Sequence, residues 1–427
     1  MSGGGGAPWT PPAPTSGGLR AIVRENRSFR LLWIGSLVSL FGDWFNTLAI
    51  FALVERLTPS PLAIGAVLAI KLFGLAVASV PGGLLADRVD RKRLMIAMDL
   101  SRALVVLGFL VVDTAEELPL LYALVLAQTT LGAAFDPAFR ASLPNVVAKA
   151  DLLGANTIFG TTWSVLLAVG AAVGGLATAG LGAEAVFGLD SATYLVSAWC
   201  VSQVALPRGA KRAPRGPLLV VAARDVREGW SYLVRHRAVG RVALAKVAWE
   251  VGGGALVYAL TQIGSAMTPL SPSIGIGVLY AARGVGTGIG PLVARRVFTD
   301  ERRWPVVMGA CVVLSGAGYL LGGLVGWTAA MVPFVVVAHA GSGANWVLSL
   351  VWLQARVPDE VRGRVFGSEM VMVAGLEGLS TLTAAVLLET GRVGLAPAVF
   401  LFGGLQVAVG ALWLVTIRRS AAMREAP

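Results

Sequence analysis

Apolar residues come in long unbroken runs along this chain, each closed by a short polar break. An α-helix needs roughly 20 apolar residues to cross the hydrocarbon core of a bilayer. Runs of that length fall at 31–54, 61–85, 94–113, 119–139, 156–180, 184–206, 242–264, 272–294, 304–326, 328–352, 365–389 and 395–417. Lipid offers no hydrogen bonds to the backbone, so each run is predicted to be a helix. The pattern therefore predicts an all-α integral membrane protein with twelve transmembrane helices. An even number of spans leaves both chain ends on one side.

The polar breaks alternate in charge. Arg20, Arg24, Arg27 and Arg30 precede the first span, and Arg88, Arg91, Lys92 and Arg93 follow the second. The densest set of bases lies in the long connection 207–241. The intervening breaks carry Glu55, Asp113, Glu116, Glu117, Glu184 and Glu389 instead. Bases gather on the cytoplasmic side of membrane proteins, so the expectation is a multi-pass protein of the cell membrane with both termini cytoplasmic. The net charge of +11 then reflects topology and attraction to anionic inner-leaflet lipid, and no nucleic-acid partner is expected.

Composition narrows the class further. The chain is 56% hydrophobic and 14% charged, with a mean hydropathy of +0.74, against about 25% charged residues in soluble domains. Cys200 and Cys311 lie inside apolar runs and read as packing residues. With two histidines and no Cys/His cluster, no metal site and no cofactor are expected. Gly284, Gly286, Gly288 and Gly290 sit inside a span, where close helix packing explains them better than a nucleotide fingerprint. No nucleophile motif or phosphate loop appears, so an enzyme is not expected.

The connection 207–241 divides the chain. The expected organisation is a disordered tail over 1–28, a six-helix half over 29–206, a linker over 207–241, a second six-helix half over 242–417 and a tail over 418–427. Within the linker, Val220 to Leu233 sets Arg224, Asp225, Arg227 and Glu228 among apolar residues, which predicts a helix along the membrane surface. Gly82–Val89 is weakly echoed by Gly290–Val297, which suggests two six-helix pseudo-repeats.

The break after the second span reads Gly83-Leu84-Leu85-Ala86-Asp87-Arg88-Val89-Asp90-Arg91-Lys92. It resembles the signature loop of the major facilitator superfamily (MFS), Gly-x-Leu-Ala-Asp-Arg-x-Gly-Arg-Arg/Lys, with Asp90 in place of the second glycine. Further segments are similar to the bacterial drug and siderophore exporters, macrolide efflux proteins among them. These are Phe29 to Trp33, Phe41 to Trp44, Phe135 to Ala138, Ala155-Asn156, Arg227 to Gly229 and Arg362 to Phe366. Two departures stand out: the helix-4 pattern has Gln128 where the superfamily has arginine, and the helix-5 exporter pattern has Ala171 where it has proline.

The resemblance implies the MFS fold, alternating access and a conformational lock made by Gly83, Asp87, Arg88, Arg91 and Asp136. In that lock Asp136 pairs with Arg91 while Asp87 faces the start of helix 11. It also implies a substrate cavity lined mainly by helices 1, 4, 7 and 10, so Trp44, Asn46, Gln128, Trp249, Tyr258, Asn345 and Glu377 become lining candidates. Three-residue spacing puts His339, Ser342 and Asn345 on one face of span 10.

A charge at mid-bilayer costs at least about 2.5–3.5 kcal/mol, so each one asks for a role. Asp43 and Lys71 fall at the same depth in spans 1 and 2, about 20 Å from the cytoplasmic ends at 1.5 Å per residue. Glu250 and Arg283 occupy similar positions in spans 7 and 8. Each acid–base pair reads either as a structural salt bridge or as a proton site that opens when the base moves away. Lys246, four residues from Glu250, is a competing partner. Glu377, in span 11, has no basic partner in sequence and is the leading alternative proton carrier. Asp190, beside Ser191, reads as the N-cap of the sixth span.

The function these readings imply is secondary export of small amphipathic molecules, coupled to protons, by a monomer whose partners are substrate, protons and lipid. A lipid flippase or a solute importer of the same fold stays open as the alternative.

Overall fold

The structure is a computed structural model, and it describes residues 14–15, 18–206, 216–268 and 270–418. The described residues form fourteen α-helices and no strand. A short α1 (Leu19–Glu25) leads into α2 (Arg27–Leu57), α3 (Pro61–Arg88), α4 (Arg91–Leu107), α5 (Leu118–Val146), α6 (Leu152–Leu181) and α7 (Ala183–Ser202). After the connection come α8 (Leu218–Arg235), α9 (Arg237–Met267), α10 (Pro272–Val297), α11 (Trp304–Leu324), α12 (Met331–Arg356), α13 (Asp359–Glu389) and α14 (Leu395–Arg418). Twelve of these helices are long and apolar enough to cross a membrane.

Local chemistry sets the boundaries. Asn26 starts α2 by accepting the Phe29 N–H at 2.9 Å, while its amide donates to the Val146 carbonyl at 2.6 Å. Asp90 starts α4 by accepting the Arg93 N–H at 2.9 Å, so at the position where the signature has glycine this chain has a helix cap. Gly182, at φ +83°, makes the sharp turn between α6 and α7. Several helices outrun the apolar windows that predict them, α9 at both ends and α13 at its start, because polar turns such as 237–241 and 359–364 continue the helix beyond its apolar length.

Three differences from the sequence expectations concern elements. Leu19–Glu25 is helical inside the stretch expected to be a tail, and Thr15 is held by Asp151, its N–H donating at 2.9 Å. Asp190 does not cap a helix: it lies in the middle of α7, fully buried. The helix expected over Val220 to Leu233 runs slightly longer, as α8. The parts of the expected tails and linker at 1–13, 16–17, 207–215 and 419–427 lie outside the described residues.

Among spans one to six, α2 packs on α6 and α7, α3 on α5, and α4 on α5 and α7. Among spans seven to twelve, α9 packs on α13 and α14, α10 on α12, and α11 on α12 and α14. Two seams join the sets: α3 against α13 and α6 against α10. Small residues allow close backbone approach there. A side chain on Gly277 would put its Cβ 2.8 Å from the Ala171 carbonyl oxygen, and one on Gly175 would lie 3.2 Å from the Gly277 Cα.

At the end of the bundle opposite the chain termini the sets are also tied by polar groups. Tyr258 Oη donates to the Pro61 carbonyl at 2.7 Å, and Ser265 donates to Glu55. The Glu389 carboxylate accepts from Ser60 Oγ at 2.6 Å and from the Leu62 N–H at 3.1 Å. Gly175→Leu is expected to cost about 1–3 kcal/mol by overpacking the α6–α10 seam. Gly180→Leu on the same helix, where nothing lies within 4 Å, is expected to leave the unfolding temperature in detergent unchanged. Thermal unfolding of the two purified variants reads the difference.

Candidate functional site

Charged side chains inside the bundle have to find partners or stay near water. In the second set of helices, Lys246 on α9 pairs with Glu369 on α13 at 3.0 Å, and both are almost fully buried. The Lys246 ammonium also lies 4.7 Å from the centre of the Trp346 ring. The expected competition between Lys246 and Glu250 is therefore absent, because Glu369 takes the base.

That leaves Glu250 on α9, Glu377 on α13 and Arg283 on α10 as one electrostatic group. No hydrogen bond or ion pair within 4 Å joins Glu250 to Arg283, and one Glu250 carboxyl oxygen is buried without a partner. Arg283 instead sits 5.7 Å from the centre of the Tyr280 ring. Glu250 is buried, while Glu377 and Arg283 are only half-buried. Two carboxyls thus share one base without closing on it.

The first set differs in the same way from the expected pair. The Lys71 ammonium donates to Thr47 Oγ1 at 2.8 Å, and Thr47 in turn donates to the Asp43 carbonyl at 2.8 Å. Asp43 accepts the Tyr194 hydroxyl, and Gln128 Nε2 donates to that hydroxyl oxygen at 3.1 Å. Depth along a helix placed Asp43 and Lys71 together, and a threonine between them keeps them apart.

Most of the cavity candidates are occupied with neighbouring helices. Trp249 Nε1 donates to Ser315 Oγ at 2.8 Å, and Ser315 donates to the Ala338 carbonyl at 2.6 Å. His339 Nε2 and the Tyr319 hydroxyl share a hydrogen bond at 2.8 Å. Asn345 Nδ2 donates to the Ala245 carbonyl at 3.0 Å. Tyr258 belongs to the seam contact with Pro61. Asn46 is fully buried, and neither atom of its amide has a partner. Trp44 is half-buried and meets Tyr280 edge-on at 6.2 Å between ring centres.

The signature loop is organised differently from the expected lock. Asp136 lies 3.5 Å from Arg140 on its own helix, and both are largely exposed. Arg91 Nη1 donates to the Ala141 carbonyl at 2.8 Å, which ties the start of α4 to the cytoplasm-expected end of α5. No ion pair joins Arg91 to Asp136, whose exposed carboxylate faces solvent and Arg140 one helical turn away. Gly83 has open space around its Cβ position. Gly83 and Arg88 fall in the last turns of α3. The side chain of Asp87 lies outside the described part of the structure.

Several residues that the sequence reading passed over are central here. Asp99 on α4 binds Arg102, both buried. The Arg102 guanidinium lies 4.4 Å from the centre of the Tyr194 ring and 4.7 Å from that of Phe135. An acid three residues before an intramembrane base was the available signal for Asp99. Arg364 on α13 holds α8 through Glu228 at 3.0 Å and Asp225 at 3.6 Å, with Ser368 Oγ donating to the Val226 carbonyl at 2.8 Å. Arg224, hydrogen-bonded to Glu228, holds that carboxyl below the usual range.

Breaking a buried ion pair from one side costs about 3–5 kcal/mol, because the remaining charge is stranded. Glu369→Ala is expected to destabilise the protein by that amount. Combining Glu369→Leu with Lys246→Met is expected to restore most of the loss, and thermal unfolding of the purified variants compares them.

Residues 32–374 match the family description "Major Facilitator Superfamily", which is well over half of the chain. The "Uncharacterized MFS-type transporter YfiS" of Bacillus subtilis (strain 168) is 25% identical over 409 residues, covering 93% of this chain and 94% of that protein. The "Enterobactin exporter EntS" of Escherichia coli O139:H28 is 25% identical over 367 residues, covering 81% and 82%. The "Putative bacilysin exporter BacE" of Bacillus amyloliquefaciens is 33% identical over 138 residues, covering 31% and 35%. Among solved structures, a peptide transporter POT in complex with sulfate superposes with a TM-score of 0.75 at 14% identity, covering 96% of this chain and 97% of that one, a likeness of fold. Twelve membrane-length helices and a family match across most of their length lead to one conclusion: this chain is a multi-pass membrane protein of the Major Facilitator Superfamily.

Proposed function

We propose that this chain exports small amphipathic organic molecules by alternating access, driven by protons moving the other way. The observation that carries the reading is Glu250, Glu377 and Arg283, two carboxyls around a single base in the bundle interior. With both acids ionised the group holds one uncompensated negative charge, which is costly away from water. One proton removes it. A donor or cationic group on a substrate offsets the same charge, so proton and substrate compete for one place. Competition of this kind is what antiport requires.

Other observations support parts of the reading. Relatives named as exporters of enterobactin and bacilysin favour the outward direction. The recurrence of helix pairings in spans one to six and seven to twelve supports pseudo-repeats that rock against each other. The alternating charge of the breaks supports cytoplasmic termini. In this reading the chain works as a monomer.

Everted vesicles holding an acid interior test this. Compounds from a panel of amphipathic dyes, macrolides and siderophores are added while a pH-sensitive dye reports the gradient. A transported compound is expected to collapse the gradient. Glu250→Gln and Glu377→Gln are expected to slow that collapse at least about tenfold, the equivalent of about 1.4 kcal/mol. Glu184→Gln, which removes an exposed pair with Arg56, is expected to leave it intact. Compound movement that ignores the gradient overturns proton coupling, and movement in the opposite direction makes the protein an importer.

A further inference from the structure

The first six spans hold a second charged group that the proposed coupling site does not use. Asp43 comes from α2, Lys71 from α3, Asp99 and Arg102 from α4, and Asp190 and Tyr194 from α7. From α5 comes Gln128, and α6 brings no titratable side chain at all. Tyr280 approaches from α10 and meets Trp44 and Phe51, with Arg283 5.7 Å from its ring centre. Asp43, Asp190, Arg102, Tyr194 and Lys71 act on one another electrostatically, and Asp99 on Arg102 and Asp43.

Counting charges over the mid-span positions gives the same result in both sets of helices. Asp43, Asp99 and Asp190 face Lys71 and Arg102; Glu250, Glu369 and Glu377 face Lys246 and Arg283. Each set therefore has one acid more than its bases neutralise. Asp99 and Asp190 are sealed from solvent, whereas Asp43 and Lys71 are half-buried.

The group leaves three buried acceptor oxygens, on Gln128, Asp99 and Asp190, against two buried donors without partners, Arg102 Nε and the Ser197 hydroxyl beside Asp99. Gln128 gives its amide N–H to Tyr194, which fixes its carbonyl oxygen inside the group, and that oxygen is buried with no partner. Gln128 is only 8% exposed. Asp99 Oδ2 and Asp190 Oδ2 are likewise buried without partners. Buried acceptors without donors are costly. A carboxylic acid O–H is a donor that an ionised carboxylate lacks.

We propose that the first six spans hold an exchangeable proton of their own, shared among Asp43, Asp99 and Asp190 and admitted through Asp43. The Tyr194 hydroxyl, bonded to Asp43 and Gln128, links the accessible acid to the sealed part of the group. This deepens the proton coupling proposed above, since the chain then carries one proton in each half. Its test reads the bound proton directly, so it does not depend on transport or on finding a substrate.

The experiment is infrared spectroscopy of the full chain in lipid, titrated from acid to alkaline pH, following the C=O stretch of protonated carboxyls. In a Glu250→Gln/Glu377→Gln background one protonated carboxyl per chain is expected to remain near neutral pH. Adding Asp43→Asn, Asp99→Asn or Asp190→Asn is expected to remove or shift that band. Three separate variants keep the test decisive if one fails to fold, and intrinsic tryptophan fluorescence confirms folding of each. Absence of the band in the double-variant background overturns the proposal. A band that ignores all three aspartate variants also overturns it, because the proton then belongs to another acid such as Glu369 or Glu55.

Discussion

A backbone crossing hydrocarbon has to satisfy every N–H and C=O within itself. That single demand makes the chain twelve helices and leaves side chains to decide everything else. Between helices there is little hydrophobic gain, since lipid tails are as apolar as leucine, so close packing and polar contacts join them. The α6–α10 seam shows the first, with Gly175, Gly277 and Ala171 bringing two backbones together. The α3–α13 seam adds the second, where Glu389 accepts from Ser60 and Leu62.

The architecture was legible in the sequence because its signal is one-dimensional. Apolar run length, alternating charge and a loop motif need no knowledge of which helix lies beside which. The helix α8 was legible for the same reason, through its mixed apolar and charged pattern. The site was only half legible. Asp43, Lys71, Glu250, Arg283 and Glu377 stood out as charges where none is cheap, and depth along each helix was readable at 1.5 Å per residue. Rotation about the helix axis and neighbour choice were not readable. Those two unknowns decide that Lys71 meets Thr47 and that Lys246 meets Glu369. They also decide that Asp136 turns to Arg140. His339 and Asn345, six residues apart, lie about 120° apart around α12, and they turn to different neighbours, Tyr319 on α11 and the Ala245 carbonyl on α9.

Charge placement also sorts the interior into fixed and adjustable parts. Lys246–Glu369 is a closed pair, buried and joining α9 to α13. Glu250, Glu377 and Arg283 remain open, as do Asp43 and Lys71. A closed pair anchors helices in one arrangement. An open group has an energy that changes with what enters beside it, which is what the proposed coupling relies on.

The ties at the end opposite the termini have a consequence for how readily that end separates. Four hydrogen bonds span it: Tyr258 to Pro61, Ser265 to Glu55, and Ser60 and Leu62 to Glu389. At a net of about 0.5–1.5 kcal/mol each, they contribute about 2–6 kcal/mol together. Turning a two-state population from 1:99 to 99:1 takes about 5.5 kcal/mol of differential affinity. The closed end is thus held on the same energy scale that one bound proton or one small molecule commands.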